Sequence, residues 1–339
     1  MELSEEHRAL RDAVRGLLAG YPARAAIEQP AGYDAGLWQR LCKEIGVAGL
    51  AIPEAYGGAG ASLLESHIVL TEWGRQLTPG PMLGSVLATQ ALLRAGDEEL
   101  LPALCAGDRI AALAWRGDLS ADDAGRLTGV AHHVMDAEAA DTLLVATDDA
   151  LYEMAPNAPG VTVEPADVLD ATRRLATIRL AGAPARRIGD GGPLTWLRDL
   201  ACVTLSADQI GAASRAFDQT HEYVQQRVQF GRPIGSFQVL QHRLAEAYLR
   251  LEAATTASWT AAEALVSDSP ETSTLAAMAK VHCSETLQAI AAEMVQMHGG
   301  LAITWEHDAH LYLRRAYADA QLFGSPGEHL DRLAATLLT

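Results

Sequence analysis

A chain of 339 residues, 49% apolar and 20% charged, is long enough for two or three domains around a well-buried core and reads as an ordinary globular protein. Its net charge of −17 argues against nucleic acid and anionic membrane partners, because either would repel it at long range. No apolar run reaches the length of a membrane span, and the opening Met1-Glu2-Leu3-Ser4-Glu5-Glu6 is acidic and amphipathic, unlike a signal peptide, so a cytoplasmic protein is expected. Cys42, Cys105, Cys202 and Cys283 lie far apart with no C-x-x-C pair, which points to buried thiols and away from a zinc site or disulfide framework.

In chain order, Ser4 is a plausible N-cap with Glu5 and Glu6 favourable in the first turn, and the helix it opens stops near Gly20 and Pro22. A second helix is expected from Asp34 to Gly46. The glycine-rich loop Tyr56 to Gly60 precedes a third containing Leu63, Leu64, His67, Ile68, Leu70, Thr71 and Trp73, and two more helical segments run to about Gly107. Residues 1–108 therefore read as an all-helical domain.

From Ile110 the pattern changes to short β-rich runs: Ile110 to Trp115, Leu127 to Val134, Thr142 to Thr147, Ala150 to Met154, Val161 to Val163, and Leu175 to Leu180. Asp148-Asp149 reads as a hairpin turn. This spacing predicts a small antiparallel sheet or barrel over residues 109–192, closed by the run Gly189 to Pro193.

Helical periodicity returns over residues 193–339 and predicts a four-helix, up-and-down bundle. Phe217, His221, Val224 and Val228 form an apolar stripe, on which His221 is expected to be a hydrogen-bonded core residue. Phe230-Gly231-Arg232-Pro233 breaks that helix, and Gln238 opens the next. In the second helix Leu244, Tyr248, Leu251, Thr255, Trp259, Ala262 and Val266 are expected to pack as one face. Pro270 opens another helix ending at Gly299-Gly300, a further one is expected from Glu306 to Phe323, and a short last one from Pro326. Arg227, Arg232, Arg243 and Arg250 make a basic strip suited to a small phosphorylated ligand.

The run from Arg227 through Phe230-Gly231 and Ile234 to Gln238 is R-x-x-F-G-x-x-I-x-x-x-Q and resembles the acyl-CoA dehydrogenase family. Gln296-Met297-His298-Gly299-Gly300 resembles that family's Q-x-x-G-G stretch, and Pro53-Glu54-Ala55-Tyr56-Gly57-Gly58 its P-E-x-Y-G-G loop. The resemblance implies a mainly α fold with a β middle domain: helical domain, small antiparallel β domain, C-terminal four-helix bundle. It also implies FAD lying across a subunit boundary. Arg227 and Phe230 would sit near the pyrophosphate and flavin edge, Gln238 on the adenosine side, and Gln296, Gly299 and Gly300 over the pyrophosphate. Either run alone is equally compatible with a solvated helix-end arginine and a plain glycine C-cap. Both together favour nucleotide binding.

Two family features are absent. The ring-binding stretches that resemblance places near Ala112 to Ser120 and His132 to Asp136 have diverged, and adjacent strand residues His132 and His133 are expected on opposite faces. The proton-abstracting carboxylate of the family falls at Ser325 or, in its other location, at Ala201, and neither can act as an unassisted base. Asp199 and Glu328 are the nearest carboxylates; Glu328 also suits a solvated first-turn position.

The resemblance thus narrows to the short base-less subunits of α2β2 actinobacterial steroid side-chain acyl-CoA dehydrogenases. It implies a subunit supporting α,β-desaturation of an acyl-CoA thioester beside a homologous catalytic partner, with electron-transfer flavoprotein as acceptor. Two other readings stay open: a self-sufficient homotetramer with Glu328 or another carboxylate as base, and a non-catalytic acyl-thioester-binding protein, on CoA or a carrier protein, with the same fold.

Overall fold

The computed structural model describes residues 3–190 and 194–337. Gly191, Gly192 and Pro193, where the sequence closes the β region, lie outside them, as does the expected boundary at 192–193. The chain folds as two compact units, one of Ser4–Val69 with Thr78–Ala201, the other of Leu70–Leu77 with the chain from Cys202. Among the described residues no helix is long and apolar enough to cross a membrane.

The first unit begins with α1 (Glu5–Leu18), whose cap is Ser4: its hydroxyl accepts from the His7 N–H at 3.1 Å. A short α2 (Ala23–Ile27) follows Pro22, unannounced by any periodicity. Asp34 caps α3 (Ala35–Glu44), accepting from Leu37 N–H at 2.9 Å, and Gly46 at φ 77° ends that segment. Next come α4 (Leu63–Arg75), α5 (Met82–Ala95) and α6 (Leu101–Cys105).

Eight strands follow: β1 (Ala111–Ala114), β2 (Gly117–Ala121), β3 (Arg126–Met135), β4 (Thr142–Ala146), β5 (Leu151–Met154), β6 (Val161–Pro165), β7 (Leu175–Pro184) and β8 (Arg186–Gly189). They form two four-stranded sheets, ordered β1-β4-β5-β8 and β2-β3-β7-β6. Thr147 N–H donates to Ala150 carbonyl at 2.9 Å, closing the hairpin expected at Asp148-Asp149. Ala114, Leu127, Ala131, Leu143, Val145 and Ile178 fill one shared core between the sheets. Pairing is antiparallel except that β1 and β4 run parallel. The reason is burial on both faces: α5, buried from Met82 through Leu92, packs on the side of β1 away from that core. A strand covered on two sides reads as a continuous apolar run and suits parallel pairing. β2 and β8 escape the sequence pattern because they are largely exposed, one built from Gly, Asp and Ser, the other from Arg.

The second unit is helical: α7 (Leu194–Gln226) from Cys202 onward, α8 (Gln238–Val266), α9 (Thr272–His298), α10 (Ala309–Gln321) and α11 (Pro326–Leu337), with the hairpin β9 (Val228–Gln229) and β10 (Arg232–Pro233) between α7 and α8. The helix α9 is central, packing on α8, α10 and α11. The end of α4 crosses α7 closely, since a Cβ on Gly211 would strike the Thr71 carbonyl and one on Gly74 the Asp208 carbonyl.

The face α8 buries is not the one its large residues suggest. Leu244, Ala247, Leu251, Ala254, Ser258, Ala261 and Leu265 are buried, a strict three-four alternation. Tyr248 and Val266 are 49% and 42% exposed. Alanines and a serine between the three leucines let α8 approach closely, while Tyr248 and Val266 turn outward.

A sealed polar layer joins the helices. Lys280 on α9 is fully buried and donates to Ser284 Oγ (3.0 Å), Asp319 carbonyl (2.7 Å) and Ala320 carbonyl (3.1 Å), so its ammonium caps the last turn of α10. Arg315 on α10 meets Asp208 on α7 at 2.9 Å, both side chains 1% exposed. Ser206 and Ser258 share a hydrogen bond at 2.7 Å, and Gln209 donates to Ser284 at 3.0 Å.

Lys280→Met is expected to destabilise the protein by about 2–4 kcal/mol, because two helix-end carbonyls lose a buried donor. The shift of the urea midpoint measures it. In the first unit, burial pushes His67 down to about 3 from its ordinary 6.5. Below pH 6.5 the unfolded chain takes a proton there that the folded chain refuses, so stability falls by about 1.4 kcal/mol per pH unit between 6.5 and 3. His67→Leu should flatten that part of the stability–pH curve.

Candidate functional site

At the end of α7 the chain does not fray. Arg227 N–H donates to Tyr223 carbonyl at 2.8 Å, and Ile234 N–H closes the hairpin onto Arg227 carbonyl at 2.8 Å. Phe230 and Gly231 at the tip have φ 54° and 78°, the two positive values of a type I′ turn. Asn-Gly is the usual occupant, so a phenylalanine there is held against its own preference. Its ring is 91% exposed and meets Phe237 edge-on at 6.1 Å, while Arg232 lies 4.0 Å over the Phe237 ring.

Three contacts bring the end of α9 to this hairpin. Tyr223 stacks on His298 at 4.1 Å, Arg243 pairs with Glu293 at 2.8 Å, and Val224, Leu244 and Met297 form a buried cluster against which Ile234 packs. Arg227, Phe230 and Gln238 from one side and Gln296, Gly299 and Gly300 from the other therefore share one end of the bundle, all exposed. Of the four arginines expected as a basic strip, Arg243 is neutralised by Glu293 and Arg232 is committed to Phe237. Arg227 and Arg250 have no ion pair among the described residues.

The two glycines differ. Gly299 has φ 61° and ψ −137°, a conformation for glycine only. Gly300 has no such constraint and nothing within 4 Å of a built Cβ. The chain itself gives no reason for glycine at 300; the close approach of a bound group would. Gly299 N–H is committed to the Val295 carbonyl, but an unpaired guanidinium, an exposed glycine backbone open to close approach and a bare aromatic ring suit a nucleotide diphosphate, so the residues fit FAD.

His298, given no role of its own in the Gln296-Met297-His298-Gly299-Gly300 run, is 4% exposed. Its Nδ1 sits 2.8 Å from the Met294 carbonyl, and His307 lies 4.4 Å beyond it. Burial first, then His307, lowers its proton affinity, while the bond to Met294 opposes them. The signal available was Tyr223 one turn before Arg227 and His298 directly before Gly299. His221 is exposed, not a core residue: it stacks on Phe217, bonds Gln225 at 3.0 Å, and lines a cleft of about 500 Å³ with Pro233 and Ser236. The residue spacing placed it on a stripe of which Val224 is buried, but Val228 is 53% exposed in the hairpin.

The expected base positions carry no free carboxylate. Ser325 and Glu328 form a reciprocal cap for α11: Ser325 N–H donates to Glu328 Oε2 at 2.6 Å, and Glu328 N–H to Ser325 Oγ at 3.3 Å. Ala201 is fully buried, and Asp199 is buried with Arg198 at 3.5 Å. In the β region Ala112, Leu113 and Ala114 are buried in β1, with Trp115 and Arg116 half-buried beyond them. His132 and His133 do not alternate across the strand. A bulge between Ala131 and Val134 leaves both exposed, ring centroids 6.3 Å apart.

Comparison with known proteins adds the following. Residues 4–108 match the sequence profile described as acyl-CoA dehydrogenase, N-terminal domain, and residues 199–338 that of its C-terminal domain. The chain is 41% identical over 339 residues to "Acyl-CoA dehydrogenase IpdE2" of Mycolicibacterium smegmatis, covering 98% of this chain and 99% of the relative. Among solved structures, the ChsE4-ChsE5 complex from Mycobacterium tuberculosis is similar with TM-score 0.92 and 28% identity, over 99% of this chain and 98% of that one. The steroid ACAD Tcur3481-Tcur3483 is similar at the same TM-score and identity, over 98% of each chain.

Gly300→Ala is expected to leave the melting temperature unchanged. Gly299→Ala should lower it through about 1–3 kcal/mol of backbone strain, and calorimetry of the two variants separates the cases.

Proposed function

The chain belongs to the acyl-CoA dehydrogenase family, and from that premise we propose that it is the nucleotide-gripping, base-less subunit of a heteromeric enzyme desaturating a bulky, steroid-derived acyl-CoA between its α and β carbons. The observation that carries this reading is the Ser325–Glu328 cap. Glu328, the carboxylate beside Ser325, already accepts a backbone N–H at 2.6 Å, and serine cannot take an α proton unaided. The base then comes from a homologous partner chain.

FAD, when bound, supplies the hydride acceptor. Arg227 would neutralise the diphosphate, the Gly299-Gly300 backbone would let it approach closely, Phe230 would lie near the flavin edge, and Gln238 and Gln296 would serve the adenosine and pyrophosphate ends. A partner is further supported by the surface: of the large apolar side chains exposed among the described residues, all but Leu169 lie in the helical unit, including Leu249, Ile303 and Trp305 at 68%, 76% and 65%. The similar ChsE4-ChsE5 complex and Tcur3481-Tcur3483 steroid ACAD support the same reading. Electron-transfer flavoprotein is the proposed acceptor.

The test is to purify the chain alone and together with a longer homologue that retains the carboxylate. Alone it should neither hold stoichiometric FAD nor turn over an acyl-CoA; together both should appear. Stoichiometric flavin and turnover by the isolated chain would reject the proposal. In the assembled enzyme, Arg227→Met should weaken FAD binding tenfold or more, reflecting loss of about 1.5–3 kcal/mol of charge-assisted hydrogen bonding. Glu328→Gln keeps the cap and should leave turnover unchanged; its loss with the flavin spectrum intact would identify Glu328 as the base.

A further inference from the structure

We propose that the bulge of β3 is an oxyanion site in which Arg116, His132 and His133 receive the carboxylate or phosphate of a small ligand. The site is built by the backbone. Between Ala131, paired with Ile178, and Val134, paired with Ala176, two residues of β3 face the single Thr177 of β7. His133 takes φ 55°, a left-handed conformation that a histidine adopts only when its surroundings impose it. The extra residue turns both imidazoles to solvent, 6.3 Å between centroids with planes tilted by 51°, so their nitrogens can converge on one group between them. His132 N–H donates to the Arg116 carbonyl at 2.9 Å, which fixes the third cationic residue across from the bulge. The Arg116 guanidinium lies 5.9 Å over the Trp115 ring.

The charges around the bulge select an anion over a metal. Desolvation, then His132, then Arg116 lower the proton affinity of His133, and no carboxylate is among the causes. On the flanking strands Asp118 pairs with Val130, one position along, and Arg179 on β7 is matched by Glu164 on β6 at 3.0 Å. Among the described residues no group of three His, Cys, Asp or Glu could hold a metal ion. Two exposed imidazoles and the half-buried Arg116, in a chain of net charge −17, thus have no ion pair among the described residues. The inference stands on the β unit alone and does not depend on the flavin reading.

The experiment follows the imidazole C–H proton resonances of the full-length protein from about pH 5 to 8. It is run in chloride, with inorganic phosphate and with acetate, at matched ionic strength. His132→Gln and His133→Asn assign the two signals, asparagine being a residue that tolerates left-handed backbone. A bound anion favours the charged imidazolium, so both midpoints should rise by about one pH unit over chloride. Arg116→Gln should remove most of that rise. A response to phosphate alone assigns a phosphate ligand, and an equal or larger response to acetate a carboxylate. Unchanged midpoints with both anions, or an equal rise in Arg116→Gln, would overturn the proposal.

Discussion

The helical unit depends on an ammonium group that has no route to water. The buried Lys280 Nζ donates to three acceptors, and two of these are carbonyls of the last turn of α10. That contact fixes where α10 ends against α9. Arg315 with Asp208 then fixes the rotation of α10 against α7, and Ser206 with Ser258 ties α7 to α8. Apolar packing alone would tolerate a slip of these alanine-rich helices; a polar layer that must be fully satisfied tolerates much less. Three of these four helices, α7, α8 and α9, carry Arg227, Gln238 and Gln296 at their ends. Register set deep in the bundle thereby decides which side chains meet at its rim.

The legible part of the fold was the part written in local chemistry. Ser4, Asp34 and Gly46 mark helix ends because capping involves a few neighbouring residues. The hidden part depends on tertiary partners. The buried face of α8 was misjudged because Ala247, Ala254 and Ala261 carry little hydrophobic signal yet permit the closest approach to α9. The parallel pairing of β1 with β4 follows from the covering by α5, which no strand pattern states.

The candidate site divides in the same way. Its motifs name the exposed residues, since glycines and an arginine at fixed spacing report backbone approach and charge. The supports behind them, Tyr223 against His298 and Arg243 against Glu293, join residues dozens of positions apart and leave no local trace. Strict alternation put His132 and His133 on opposite faces, and a single bulged residue removed that rule. Glu328 shows the reverse: a carboxylate beside an expected catalytic position proves to belong to helix initiation, as the spacing Ser325 to Glu328 already spelled out.

The hairpin between α7 and α8 has one more consequence. Phe230 is held in left-handed backbone with its ring in water, while Ile234 N–H clamps the base of the turn to Arg227. The conformational entropy of that loop is surrendered when the chain folds, before anything docks there. Whatever covers the ring meets a rigid, prepaid shape, so association at this tip should be governed by how fast it is released and little by any slow rearrangement on arrival.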